Sequence, residues 1–242
     1  MMACSPSAFA EAVGAHPFDD FAFGDESLAR AASSVAEAGL VVVGESHGVR
    51  ETPSVLYALA SALGTRAVAF EWSHEEMDQP VQEFLGSGSF DFERLWSLPA
   101  SAEFFCGDGR IAAGHFALLR RLRDEGRLDQ VIVFDRLDPD PPEDWHVRET
   151  DMAERLLSEW DGATPLLALT GAFHAQTHPE SQSMTAHLSR ARPGLQPAML
   201  DYTGGYCWSR GELHDVSGTM PDAPITLRLP EATPAVVPGP IS

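Results

Sequence analysis

Short apolar runs rich in β-branched residues recur along this chain, each separated from the next by a stretch of helical periodicity. Residues 40–43, 66–71, 130–134, 166–170 and 196–202 read as strands. Between them, residues 27–38 form a helical pattern ended by Gly39. Thr52-Pro53 opens a second pattern with Leu56, Leu59, Ala60 and Leu63 on one face, closed by Gly64. Further helices are expected at 75–85, around Ile111 to Leu122, at 143–160 and at 179–190. Strands spaced by helices predict an α/β fold with a mostly parallel central sheet flanked by helices.

The C-terminal part departs from that rhythm. Residues 204–209 and 225–229 are expected to form an antiparallel strand pair. The tail from 230 to 242 carries four prolines and is expected to be loosely held. No repeat and no linker divides the chain, so residues 1–242 read as a single domain with its core at about 26–229.

Composition narrows the function. Sixteen basic against 36 acidic residues give a formal charge of −20, and bulk nucleic acid or an anionic membrane surface needs the opposite sign. Arg120, Arg121 and Arg123 cluster but are followed at once by acidic residues, so they read as a solvated helix face. No run approaches the length of a membrane span, and residues 1–18 lack the pattern of a secretion signal. The three cysteines, Cys4, Cys106 and Cys207, form no CxxC pair and no disulfide framework. A cytoplasmic protein with a small-molecule substrate is the expectation. Abundant Ala, Gly, Arg and Asp without lysine fit a GC-rich bacterial genome.

In open α/β sheets ligands bind beyond the carboxyl ends of the strands. The first strand is followed by Gly44-Glu45-Ser46-His47-Gly48, and the second ends at Glu71. Asp135 and Arg136 follow the third, Gly171-Ala172-Phe173-His174 the fourth, and Asp201 and Tyr202 end the fifth. Glu71 is the telling residue, because a carboxylate after the apolar run 67–70 is costly to bury unless it is paired or does chemistry. A salt bridge to an arginine such as Arg148 is its purely structural alternative. No GxSxG elbow, GxGxxG loop or Walker A motif occurs. What remains is a histidine flanked by carboxylates, able to deprotonate water or to hold a divalent metal. His174 and His178 are four apart, but no helix is expected beneath both.

At these residues the chain resembles the erythromycin esterase, ChaN-like and Tiki superfamily. Gly44-Glu45-Ser46-His47-Gly48 with Arg50-Glu51, Val68-Ala69-Phe70-Glu71, Arg148-Glu149-Thr150-Asp151-Met152-Ala153 and Gly171-Ala172-Phe173-His174 match its motifs in order. Gly204-Gly205 and Trp208 form a further match. Only Ser46 separates Glu45 from His47, where erythromycin esterases have an extra residue. Those enzymes are also longer, and the late element here has one matching histidine. Size and first motif are closer to the ChaN-like branch.

The resemblance implies a site of His47, Glu45, Glu71, Arg148 and His174. His47 would be the base or a metal ligand, Glu45 and Glu71 would orient it, and Arg148 would pair with a carboxylate or hold an anionic group. His174 would assist, and Glu149 would serve only the helix dipole. The leading expectation is a hydrolase-like enzyme using His/Glu activation of water, with lyase or cyclase chemistry open to the same site. The residues themselves dictate no cofactor; haem and a divalent metal are the two the resemblance admits. A haem- or ligand-binding protein without turnover would draw on His47, His174, Tyr202, Tyr206 or Cys207, with the aromatic stretch 90–105 as core, lid or wall. A Tiki-like metal-dependent hydrolase would use His47, Glu45, Glu71 and His174.

Overall fold

A computed structural model describes residues 2–3, 5–97, 108–136, 145–177, 182–218 and 220–239. Phe104, Phe105, Cys4, Cys106, His178 and the loop 137–142 lie outside them. The elements in chain order are β1 (Met2–Ala3), α1 (Pro6–Gly14), α2 (Asp25–Ala38), β2 (Leu40–Glu45), α3 (Thr52–Leu63), β3 (Ala67–Ser73), α4 (His74–Ser87), α5 (Phe92–Ser97) and α6 (Ala113–Asp124). There follow β4 (Gln130–Asp135), α7 (Trp145–Glu159), β5 (Leu166–Gly171), α8 (Met184–Ala191) and β6 (Ala198–Tyr202). β7 (Tyr206–Ser209), β8 (Glu212–Asp215), β9 (Ile225–Leu229) and β10 (Val237–Pro238) complete the order.

Six strands form one sheet in the order β4-β3-β5-β2-β6-β9, every pair parallel. β2, β3 and β5 are buried along their whole length, as a sheet covered on both faces requires. Alternate residues serve different layers. Val41, Val43, Val68, Phe70 and Leu169 pack with α1, α3, α4 and α6. Leu40, Val42, Ala69, Ala168 and Met199 pack with α7 and α8. The chain runs from β2 outward to β3 and β4, then returns to insert β5 between β3 and β2. That insertion brings the ends of β3, β5 and β2 side by side.

The C-terminal antiparallel pair exists, but its partners differ from expectation. β7 pairs with β8 across the tight turn Arg210-Gly211, while β9 joins the main sheet parallel to β6. The short separation of β7 from β8 permits a hairpin, whereas 225–229 is far enough along the chain for a crossover.

The tail is not loosely held. Ala232, Ala235 and Val237 are buried, Val49 bridges Pro234, and β10 pairs with β1. Its anchor is Glu51, whose carboxylate accepts from the Thr233 N–H at 2.9 Å and the Thr233 hydroxyl at 2.5 Å, and from Arg50 at 2.7 Å. Thus Arg50-Glu51, part of the first family-like segment, fastens the tail instead of lining a site. The described part of the aromatic stretch, 90–97, is core: Phe90 stacks on Phe84, Phe90 and Phe92 meet Phe116 edge to face, and Leu95 and Trp96 are buried. Residues 98–105 of that stretch lie outside the described residues.

Glu51→Ala strips partners from Thr233 and Arg50, and urea unfolding should read a loss of about 2 kcal/mol. His115 is buried against the stacked Phe70 and Trp72; its Nδ1 accepts from the Ala112 N–H at 3.3 Å and its Nε2 has no hydrogen-bond partner among the described residues. Burial, reinforced by His47 and His16, pushes its pKa from 6.5 down to about 3. The unfolded chain therefore binds a proton that the fold refuses, and stability falls as pH drops below 6.5. At pH 4 this single group costs about 3 kcal/mol. His115→Gln keeps an acceptor at the helix start without titrating, so its acid unfolding midpoint should move to lower pH.

Candidate active site

Glu71 ends an apolar strand and is almost fully buried. Between Phe70 and Ser73 the β3–β4 register shifts, so one extra residue is accommodated in β3 beside the site. Both Glu71 oxygens are held. Oε2 accepts from the Thr170 hydroxyl and the Gly171 N–H, each at 2.7 Å. Oε1 faces Arg148 Nη2 at 3.2 Å, Arg110 Nη1 at 3.4 Å and His174 Nε2 at 3.4 Å. Burial alone would favour the neutral acid, but His174, Arg110 and His47 outweigh it and hold the carboxyl well below its usual range. Glu71 is a carboxylate at neutral pH.

A histidine stands on each side of it. His47 Nδ1 lies 3.0 Å from Glu45 Oε1, and its Nε2 lies 3.7 Å from Glu71 Oε2. Its side chain is 19% exposed, against 7% for His174. Burial opposes charge on His47, yet the Glu45 hydrogen bond and the Glu71 charge raise its pKa. Burial also raises that of Glu45, whose second oxygen has no hydrogen-bond partner among the described residues.

His174 sits in the turn after β5. Its Nδ1 is 2.6 Å from Glu149 Oε1, and Glu149 Oε2 accepts from the Met184 N–H at the start of α8. The Thr185 N–H and hydroxyl both donate to the His174 carbonyl and fix its backbone. Burial opposes its charge, but Glu71 and Glu149 together lift its pKa to about 9. His174 is therefore an imidazolium at pH 7. Glu149, far from a mere dipole partner, is buried and orients a site histidine.

Arg148 pairs across the fold, not along its own helix. Its guanidinium donates to Asp135 at 3.0 and 2.5 Å as well as to Glu71. Asp135 also accepts from Arg110 at 2.7 Å, and Arg110 is steadied by Asp108 at 2.6 Å. Asp135 thus neutralises two guanidiniums that would otherwise face each other. Trp145 stacks on His174 with ring centroids 5.5 Å apart, and the Arg148 guanidinium lies over the Trp145 ring, 5.0 Å from its centroid.

These groups open on a cavity of about 610 Å³ that also reaches Phe173, Cys207, Arg210 and His214. All five expected site residues, Glu45, His47, Glu71, Arg148 and His174, line it. Asp201 does not, Tyr202 is turned to Thr52 at 3.2 Å, and Arg136 pairs with Asp151 elsewhere. Cys207 is in β7 as expected; burial raises its pKa and keeps it a thiol. The residues missed from the sequence are Arg110 and Trp145, with Glu149 and Asp135 undervalued. Asp108-Gly109-Arg110 before an apolar helix was the available sign, since an arginine there has no helical neighbour to serve.

The donor set does not fit a divalent cation. Two guanidiniums already face Glu71, and among the described residues no group of three or more His, Cys, Asp or Glu side chains could hold a metal ion. Haem fits no better: the described aromatic residues of 90–97, expected as its wall, belong to the core. Among the described residues no helix is long and apolar enough to cross a membrane.

No family model matches the chain, and no curated protein matches it significantly. Among solved structures, the chain is similar to RRSP, a MARTX toxin effector domain from Vibrio vulnificus CMCP6. The TM-score is 0.50 and the identity 15%, covering 74% of this chain and 36% of that one. A second structure, described as bacterial protein toxins, aligns with a TM-score of 0.49 at 13% identity, over 82% of this chain and 42% of its own. The chain spans well under half of either. At such identity the likeness to RRSP shows the fold alone: α/β, with a mostly parallel sheet between helices.

Proposed function

We propose that this chain is a hydrolase-like enzyme acting on a small or medium organic substrate, with His47 as general base. The observation that carries the reading is the pair of histidine–glutamate dyads on opposite sides of the ionised Glu71. Glu45 fixes the ring of His47 through Nδ1 and leaves Nε2 to face the cavity, where it takes a proton from water. The hydroxide attacks the substrate carbonyl. Arg148 and the His174 imidazolium stabilise the oxyanion, and His174 Nε2–H then protonates the leaving group. Environment keeps the two histidines in different protonation roles, the more exposed one as base and the more buried one as acid. The same base can remove a carbon-bound proton, so lyase or cyclase chemistry needs no rearrangement of the site. Glu45, His47, Glu71, Arg148 and His174, which carry part of the resemblance to the erythromycin esterase and ChaN-like superfamily, line this one cavity, which supports placing the chain near it.

The test is a panel of ester, lactone and amide substrates, read with wild type and variants. His47→Ala should lower kcat/KM by about 10³-fold on any substrate turned over. Full activity in that variant would remove the reading. Across pH, kcat/KM should rise above pH 6.5 as His47 gives up its proton and fall through about 9 as His174 loses its own. Glu149→Gln removes a charge that raises the His174 pKa, so its alkaline limb should move to lower pH while the acid limb stays. An alkaline limb that does not move would dissociate His174 from it.

A further inference from the structure

Arg210 is out of place by local rules. β7 and β8 are joined by the two-residue turn Arg210-Gly211, with Ser209 opposite Glu212. Both turn residues have positive φ, 53° and 84°. That turn favours Asn, Asp or Gly at its first position, because a side chain is unfavourable in the left-handed region. Among the described residues, Arg210 is the one non-glycine with a positive φ. A residue kept against local preference is a pointer to function.

Its surroundings say which function. Arg210 lines the cavity, as do Arg110 and Arg148. Those two are bound to Asp108, Asp135 and Glu71, whereas Arg210 makes no ion pair or hydrogen bond with the described residues. In a chain of net charge −20 an anionic ligand is repelled unless a local cation receives it. Beside the same cavity two aromatic side chains stand in solvent, Trp145 at 51% and Phe173 at 79% exposure. Large exposed aromatics at a polar cavity present a flat apolar face to a ligand.

We infer that the cavity takes an amphiphilic organic anion, its planar apolar body against Trp145 and Phe173 and its acidic group on Arg210. This deepens the hydrolase reading and rests on it only for taking the cavity as the substrate site.

Two fluorescent probes share one scaffold and differ in charge: 8-anilino-1-naphthalenesulfonate and neutral N-phenyl-1-naphthylamine. Kd values for both are to be measured by titration on the full chain. Arg210→Gly and Arg210→Gln should weaken the sulfonate about tenfold and leave the neutral probe unchanged; Arg210→Lys should keep most of the affinity. Trp145→Ala should weaken both. Arg210→Gly also relieves the turn, so its Tm should rise by a few degrees, which separates lost binding from lost folding. Neither probe carries a bond to be hydrolysed, so failure of the catalytic reading leaves these constants standing. Equal sulfonate affinity in wild type and Arg210→Gly, or equal weakening of both probes, would overturn the inference.

Discussion

A carboxylate buried at the end of an apolar strand sets the terms for everything around it. Glu71 costs several kcal/mol to ionise away from water unless donors surround it. Thr170 and Gly171 satisfy one oxygen from the neighbouring strand; Arg148, Arg110 and His174 face the other. Two guanidiniums at one oxygen then require a second anion, and Asp135, with no solvent exposure, supplies it. His174 in turn needs Glu149, which is held by the backbone of α8. Each charge is explained by the one before it, and the chain of compensation ends at backbone donors that titrate nowhere. Such networks lose far more when one member is removed than when all are replaced together.

The same compensation distributes protons unevenly. Glu71 lies between two imidazoles, yet they differ in burial and in partner. His174 is enclosed, stacked under Trp145 and held by Glu149. His47 is nearer solvent, and its partner Glu45 is itself raised by burial with one oxygen left unpartnered. A histidine held charged at 174 and one nearer solvent at 47 follow from that difference. The two histidines thus differ by environment although both dyads have the same composition.

Much of this was written in the sequence, for identifiable reasons. Strands buried on both faces advertise themselves as continuous apolar runs, so β2, β3, β4, β5 and β6 were legible within two residues or so. Glu71 was legible because a carboxylate after such a run contradicts its surroundings. His47 and His174 were legible because strand ends in an α/β sheet converge. Pairing partners were not. The periodicity of residues 225–229 reports a strand but says nothing of which edge it joins, and so β9 was assigned to the hairpin. The prolines of the tail suggested loose chain, while its anchor, Glu51, sits far away in sequence. Arg110 and Asp135 matter only through each other and Arg148, a relation that no local pattern carries.

Space decides the rest. Three neighbouring strand ends cannot all carry bulky groups at one point, and two glycines mark where they do not. A Cβ at Gly171 would stand 3.0 Å from His47 Nε2 and 3.5 Å from Glu71 Oε2. It would push His47 and Glu71 apart, and crowd the N–H that binds Glu71. At Gly44 a Cβ would meet the Met199 sulfur at 2.4 Å and the Ala175 Cβ at 2.7 Å, prising β2 from the segment that carries His174. Neither glycine needs an unusual backbone, since neither has a positive φ. Their role is the absence of a side chain, which lets β5 lie close enough to β2 and β3 for His47, Glu71 and His174 to share one set of charges.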